Sequence, residues 1–161
     1  MRVYFLNGPN ANLYGHTSKD VYGAETFEQL GARCRRAAKA LGIALEFRQS
    51  NSEGELVDWI QEAGRKADGV IINGAGLTYT SIAILDALLS FHGPIVEVHM
   101  SNIYRREPSR HHSYISKAAT GIVAGLGADG YELAIEAMRR LLAKGAKAPA
   151  RTPAKARRGR S

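Results

Sequence analysis

Glu97 and His99 stand two apart in the apolar run Pro94-Ile95-Val96-Glu97-Val98-His99-Met100. A strand's period of two puts both side chains on one face. A carboxylate inside a covered strand is costly unless paired, and an imidazole N–H is a natural partner. Such a pair fixes the ring's tautomer and supports its positive form, which suits a general acid or base near neutral pH. The plainer alternative is a satisfied core pair with no catalytic role. Asn10 and Asn73 each follow an apolar run. Two amides facing one pocket can hold a water or an oxyanion without adding charge, although turn formation alone also favours asparagine there. Tyr14 and Tyr22 lie in a long connection after the first strand, the kind of segment that more often closes over a site than merely joins elements. A tyrosine there can pack, hydrogen-bond or act as a base, and the last role demands a nearby cation. The stretch YRREPSRHHSY, residues 104–114, adds Arg105, Arg106 and Arg110, a guanidinium set suited to a carboxylate or phosphate. Its adjacent His111 and His112 cannot easily share one metal, and Cys34 is the only thiol, so no zinc site is expected. There is no GxGxxG, no lysine-bearing phosphate loop and no acidic cluster after the first strand, so no flavin, nucleotide, magnesium or other cofactor is expected.

The elements that must position these residues can be read from periodicity. After the strand around Val3–Leu6, TFEQLGARCRRAAKALG sets Phe27, Leu30, Cys34 and Leu41 on one helical face, opened by a Thr26/Gln29 box and closed by Gly42. IALEFRQ alternates as a half-buried strand. SEGELVDWIQEAGRK predicts a helix capped by Ser52 and Glu55, with Leu56, Ile60 and Ala63 inward. GVIING is continuously apolar, as expected of a strand covered on both faces. SIAILDALLSF predicts a helix apolar nearly all round, covered by the sheet and by another subunit. PIVEVHM and GIVAGL are two more strands, and GYELAIEAMRRLLAKG the closing helix. Strands alternating with helices require parallel pairing with helices on both faces. The expected fold is α/β, a flavodoxin-like, doubly wound five-stranded parallel sheet in three layers. Such sheets bind ligands outside the carboxyl ends of their strands. Asn10, Asn73, His99, Ser101 and the residues around them follow three such ends, and that convergence outweighs any one of them.

The chain has 161 residues and 45% apolar content, enough for one domain with a full core. Its formal net charge of +7 is unevenly placed. Residues 144–161 hold seven of the 22 Lys and Arg and no acid, which leaves 15 basic residues against all 15 acidic ones before them. The expectation is a neutral catalytic domain over 1–143 and a disordered basic tail over 144–161. Only that tail could meet nucleic acid, by simple charge attraction. The single cysteine and the lack of a signal-peptide pattern point to a cytoplasmic protein, and no apolar run is long enough to span a membrane.

Taken together, NGPN at 7–10, VYG at 21–23, RQSNSEGELVDWI at 48–60, TS with Asp86 at 80–86, EVHMSN at 97–102, RHHSYIS at 110–116 and GLGADGY at 125–131 resemble the type II 3-dehydroquinate dehydratases, from Val3 to about Leu142. The resemblance implies dehydration of 3-dehydroquinate to 3-dehydroshikimate, in shikimate synthesis or quinate breakdown, without metal, cofactor or Schiff-base lysine. It implies that Tyr22 removes a proton next to the substrate ketone. Asn10, through a water, would steady the enolate oxygen, and His99, oriented by Glu97, would protonate the departing C1 hydroxyl. Asn73, Met100, Ser101 and Arg110 match positions that hold the substrate's hydroxyls and carboxylate. Asp86 matches a residue that reaches a neighbouring subunit's site, in a family that assembles trimers into dodecamers.

Two positions depart from the family pattern. The closing segment there usually reads Gly-x-Arg-Glu-Pro-x-x-Tyr-Gly, whereas this chain has GHTSKDVYG, with Thr17 in place of the arginine and Lys19 as the nearest cation on the segment. The family's Thr-His-Thr-Ser is TYTS here, so Tyr79 stands where a histidine would touch a substrate hydroxyl. Lys19 and Arg106 are the cations that could replace the missing one. An alternative reading is therefore a non-catalytic or redirected relative that binds a similar small hydroxy-carboxylate.

Overall fold

The computed structural model describes residues 1–145. The basic tail expected from residue 144 onward lies, apart from its first two residues, outside them. Five strands, β1 (Arg2–Asn7), β2 (Ala44–Gln49), β3 (Gly69–Asn73), β4 (Ile95–His99) and β5 (Gly121–Ala124), form one parallel sheet in the order β2-β1-β3-β4-β5. This is the doubly wound flavodoxin-like order expected from the sequence. The helices are α1 (Lys19–Tyr22), α2 (Phe27–Ala40), α3 (Glu53–Lys66), α4 (Ile82–Leu89) and α5 (Asp129–Ala143).

Alternation along β1 divides the core. Val3 and Phe5 point to one side and join Leu30, Cys34 and Ala38 of α2 and Tyr131, Ile135 and Met138 of α5. Tyr4 and Leu6 point to the other and join Leu56, Ile60 and Ala63 of α3 and Ile84 and Leu88 of α4. Both faces of the sheet are thus covered, which is why β3 is apolar up to Asn73 and every residue of β4, Glu97 and His99 included, is buried. No helix among the described residues is long and apolar enough to cross a membrane.

Local capping follows the sequence with two adjustments. The Thr26/Gln29 box of α2 is complete, each side chain accepting from the other residue's backbone N–H. At α3 only Ser52 plays its part. The Glu55 carboxylate instead accepts the Ser50 hydroxyl, which in turn accepts the Ser52 backbone N–H at 2.9 Å. Helix α4 stops at Leu89, short of the expected Phe91, because the Ser90 hydroxyl bonds back to the Asp86 carbonyl and the chain turns. Ile82 stays 56% exposed on α4, so the expected covering by another subunit is not supplied within the chain. The connection after β1 is more ordered than a plain loop, with a 3₁₀ turn at Ala11–Leu13 and the single turn of α1.

Chain order reverses between β1 and β3, and the crevice at their carboxyl ends is the switch point of the fold. The two strand-end loops approach very closely there. The Gly8 N–H donates to the Asn73 carbonyl at 2.8 Å, and a Cβ on Gly8 would stand 2.5 Å from the Gly74 carbonyl oxygen. Glycine at position 8 is what lets the loops carrying Asn10 and Asn73 meet.

Candidate active site

A cavity of about 380 Å³ opens at this switch point. Asn10 and Tyr14 line it from the loop after β1, Thr17 and Tyr22 from the covering segment, Asn73 and Tyr79 from the loop after β3, and His99, Met100, Ser101, Arg106 and Arg110 from the end of β4 and its loop. These eleven residues, all singled out from the sequence, therefore share one space, and Glu97 stands directly behind it. Lys19 and Asp86 are exposed and do not line it.

Glu97 is fully buried and His99 nearly so. The His99 Nε2 lies 2.6 Å from Glu97 Oε1, which leaves Nδ1 as the ring nitrogen without a hydrogen-bond partner among the described residues. Two serines complete the carboxylate's shell. Ser113 donates to Oε1 at 2.7 Å, and the Ser116 hydroxyl donates to Oε2. Burial alone would push this carboxyl up. The hydrogen bonds from His99, Ser116 and Ser113, with the charge attraction of the ring, outweigh it and hold Glu97 below the usual carboxylate range. The carboxylate is therefore charged, fully bonded and fixed.

Asn10 adopts a left-handed backbone (φ 68°) that asparagine tolerates. Its N–H donates to Asn51 Oδ1 at 2.9 Å, and Gln49 holds that Asn51 amide in turn. The Asn10 side-chain amide makes no hydrogen bond to the described residues, so it is available to a ligand. Asn73 differs. The Ala75 N–H donates to its Oδ1 at 3.0 Å, which assigns the amide, and its Nδ2 donates to the hydroxyls of Tyr14 at 2.9 Å and Tyr131 at 2.7 Å. Both amide protons are committed to protein, so the expected pair of amides donating into the pocket reduces to Asn10.

Tyr22 ends α1 with its ring 5.1 Å from that of Tyr14. Its hydroxyl accepts Arg106 Nη1 at 3.1 Å, and the same nitrogen reaches Ser101 Oγ at 3.4 Å. The Arg106 carbonyl is met by His111 Nε2 at 2.9 Å, which braces the loop that presents the guanidinium. A phenol facing a cation, a buried carboxylate–imidazole pair and a free amide are the parts of a proton-transfer site.

The Dehydroquinase class II family model matches residues 1–139. The chain belongs to this family. It is 50% identical over 139 residues to the 3-dehydroquinate dehydratase 2 of Agrobacterium fabrum, a match covering 86% of this chain and 95% of the relative. It is 51% identical over 144 residues to the 3-dehydroquinate dehydratase of Streptomyces coelicolor, covering 89% and 92%. Among solved structures, the type II dehydroquinase of Propionibacterium acnes superposes with a TM-score of 0.84 at 41% identity, covering 86% of this chain and 96% of that one.

Within this class II dehydroquinase fold, the departures from the usual pattern take concrete form. Thr17 brings no charge to the cavity, and of the two candidate cations only Arg106 reaches the phenol. Tyr79 stacks near-parallel to His99, with ring centroids 6.3 Å apart, and the Arg110 guanidinium lies over the Tyr79 ring at 5.4 Å. Arg110 is itself held by Glu107, at 2.5 Å. Burial pushes the Tyr79 hydroxyl up despite the opposing pull of Arg110, so the ring stays neutral beside both the imidazole and the guanidinium. Sequence reasoning missed Ser113, Ser116 and Tyr131. The two serines sit three apart in SYIS, Ser116 in the 3₁₀ turn Ile115–Lys117 and Ser113 just before it, where its hydroxyl accepts the Ser116 N–H at 3.0 Å; that spacing was the available signal.

Proposed function

We propose that the chain is a hydro-lyase that dehydrates 3-dehydroquinate to 3-dehydroshikimate through an enolate. The observation that carries the reading is Arg106 Nη1 at 3.1 Å from the Tyr22 hydroxyl in the cavity that also holds the His99–Glu97 pair. Tyr22, as phenolate against the Arg106 charge, takes the proton from the carbon beside the ketone. The electrons move onto the carbonyl oxygen, which Asn10 steadies through a water as charge develops. The enolate then collapses, the C1–O bond breaks, and His99 gives the departing hydroxyl a proton from its cavity-facing side. Water leaves and the enone remains. Glu97 keeps its charge throughout, holding the ring in place and supporting its positive form, while Ser113 and Ser116 keep Glu97 from turning away. Arg110 and Ser101, with Met100 beside them, hold the carboxylate and hydroxyls, and Tyr79 takes the place of the family's histidine.

The alternative of a non-catalytic binder drew on Thr17 and Tyr79 together, and of these the first concerns the charge beside the phenol. Arg106 on the phenol oxygen answers the Thr17 part of that motive. The matched relatives carry the name 3-dehydroquinate dehydratase at about half identity over most of both chains, which supports the same substrate. The exposed face of α4, with Ile82 and Asp86, fits an assembly of trimers gathered into a dodecamer in which Asp86 approaches a neighbour's cavity; light-scattering mass measurement tests it. The activity itself is tested by following the enone absorbance with 3-dehydroquinate from about pH 6 to 10. Product formation is expected, and no product at any pH would sink the reading.

A further inference from the structure

Tyr14 is a residue for which the dehydratase reading has no role. It is 6% exposed, lines the cavity beside Tyr22, and belongs to a buried polar chain that runs back into the core. Tyr131 is fully buried and donates to Asn7 Oδ1 at 2.9 Å, and Asn7 Nδ2 is spent on the Arg48 carbonyl at 3.1 Å. Asn73 is locked by the Ala75 N–H, so its two amide protons have fixed directions, one to Tyr131 and one to Tyr14. Every member of the chain is thereby assigned as donor or acceptor. Tyr14 sits at its end with its oxygen accepting from Asn73. Its own hydroxyl proton is donated to none of the described residues.

We propose that the Tyr14 hydroxyl donates a hydrogen bond to a hydroxyl or carbonyl oxygen of the bound ligand, with Asn73, Tyr131 and Asn7 acting only to aim it. The inference rests on the dehydratase reading for the identity of the ligand and adds a specificity residue to it. A neutral donor of this kind favours an oxygen that carries no full charge, in contrast to the guanidinium of Arg110. Burial pushes the Tyr14 hydroxyl up, and the hydrogen bond from Asn73 offsets that only in part, so the group stays a donor across the neutral range. Its packing against the Tyr22 ring places the donor in the neighbourhood of the base, where misplacement of the ligand by a fraction of an ångström matters most. Asn73 then works through Tyr14, which reconciles its place on the cavity wall with an amide that has no proton left to give.

The test compares wild type, Tyr14→Phe and Tyr131→Phe. Each is assayed for kcat and KM with 3-dehydroquinate and, by calorimetry, for binding of quinate, which keeps the hydroxyls and carboxylate but lacks the ketone. Tyr14→Phe keeps the ring and its packing on Tyr22 and removes one neutral hydrogen bond. The expected result is a fall of about tenfold in kcat/KM with little change in melting temperature. Tyr131→Phe is expected to lower the melting temperature more and kcat/KM less, since it loosens the aim without removing the donor. Quinate affinity falling in Tyr14→Phe would place the contact on a hydroxyl, and quinate affinity unchanged with kcat/KM lowered would place it on the ketone oxygen. Kinetics of Tyr14→Phe equal to wild type, or equal losses in the two variants, would overturn the proposal and leave the dehydratase reading standing. A wild-type protein that neither turns over 3-dehydroquinate nor binds quinate would overturn both.

Discussion

Replacing Glu97 by glutamine isolates the charge behind His99. The amide has the carboxylate's shape, so its oxygen can still accept from His99 and Ser113 while its NH₂ meets the Ser116 hydroxyl, which can turn to accept. No cavity opens, and the side-chain oxygen keeps both of its donors. What disappears is the negative charge, 2.6 Å from the ring nitrogen and fully buried. Losing a hydrogen bond to a charged group costs roughly 1.5–3 kcal/mol, and two unit charges about 4 Å apart at an effective dielectric of 20 attract by about 4 kcal/mol. The positive ring that serves as the proton donor therefore loses about 2–4 kcal/mol of support, which is roughly 30- to 1,000-fold in kcat. Steady-state turnover of 3-dehydroquinate gives kcat and KM, and a thermal melt confirms that the variant is folded. KM should move by less than the rate does, because the charge acts on the proton rather than on the ligand. A folded variant with kcat within about threefold of wild type would refute the argument that the buried pair serves proton transfer. The stability arm has a definite sign. Because Glu97 sits below its ordinary value of 4.5, its charge contributes stability that is fully present above about pH 5 and is lost as pH falls through the lowered folded value. The melting-temperature gap between wild type and Glu97→Gln should hold steady above that pH and narrow below it.

Three further outcomes follow from other parts of the structure. Arg106→Leu removes the cation from the Tyr22 oxygen and should cut kcat by about 10- to 100-fold at neutral pH; an unchanged rate would mean another group supplies the charge. Gly8→Ala forces a Cβ against the Gly74 backbone and should cost about 1–3 kcal/mol, read as a melting temperature lowered by roughly 2–12 °C, together with a weaker kcat/KM because Asn10 and Asn73 flank the contact. The Cys34 thiol is buried and pushed up to about 12, so it should resist alkylation at pH 8 in the folded protein and react freely once unfolded, as read by mass spectrometry.

The architecture was legible in the sequence because each element announces itself locally. Thr26 and Gln29 cap α2 within four residues, Leu56, Ile60 and Ala63 recur at helical spacing, and β3 is apolar up to Asn73. The Glu97–His99 pair was legible for the same reason, since two residues of one strand need only the period of two. The contacts that were not legible join distant segments. Arg106 meets Tyr22 across 84 positions and Tyr131 meets Asn7 across 124, so nothing in a local window marks them. Asn73 was placed correctly at its strand end but not its hydrogen bonds, because its donors are consumed by tyrosines at positions 14 and 131. Glu55 failed as a reciprocal cap because Ser50, buried at the end of β2, offered its carboxylate a better partner than the backbone did.

The most direct measurement is kcat of Tyr22→Phe against wild type with 3-dehydroquinate, alongside quinate affinity by calorimetry. The account predicts a loss of about a thousandfold in kcat with affinity changed by only a few-fold, because the ring remains and only the proton acceptor is gone. A variant that keeps kcat within about tenfold of wild type would contradict Tyr22 as the base and with it the mechanism built on its contact with Arg106.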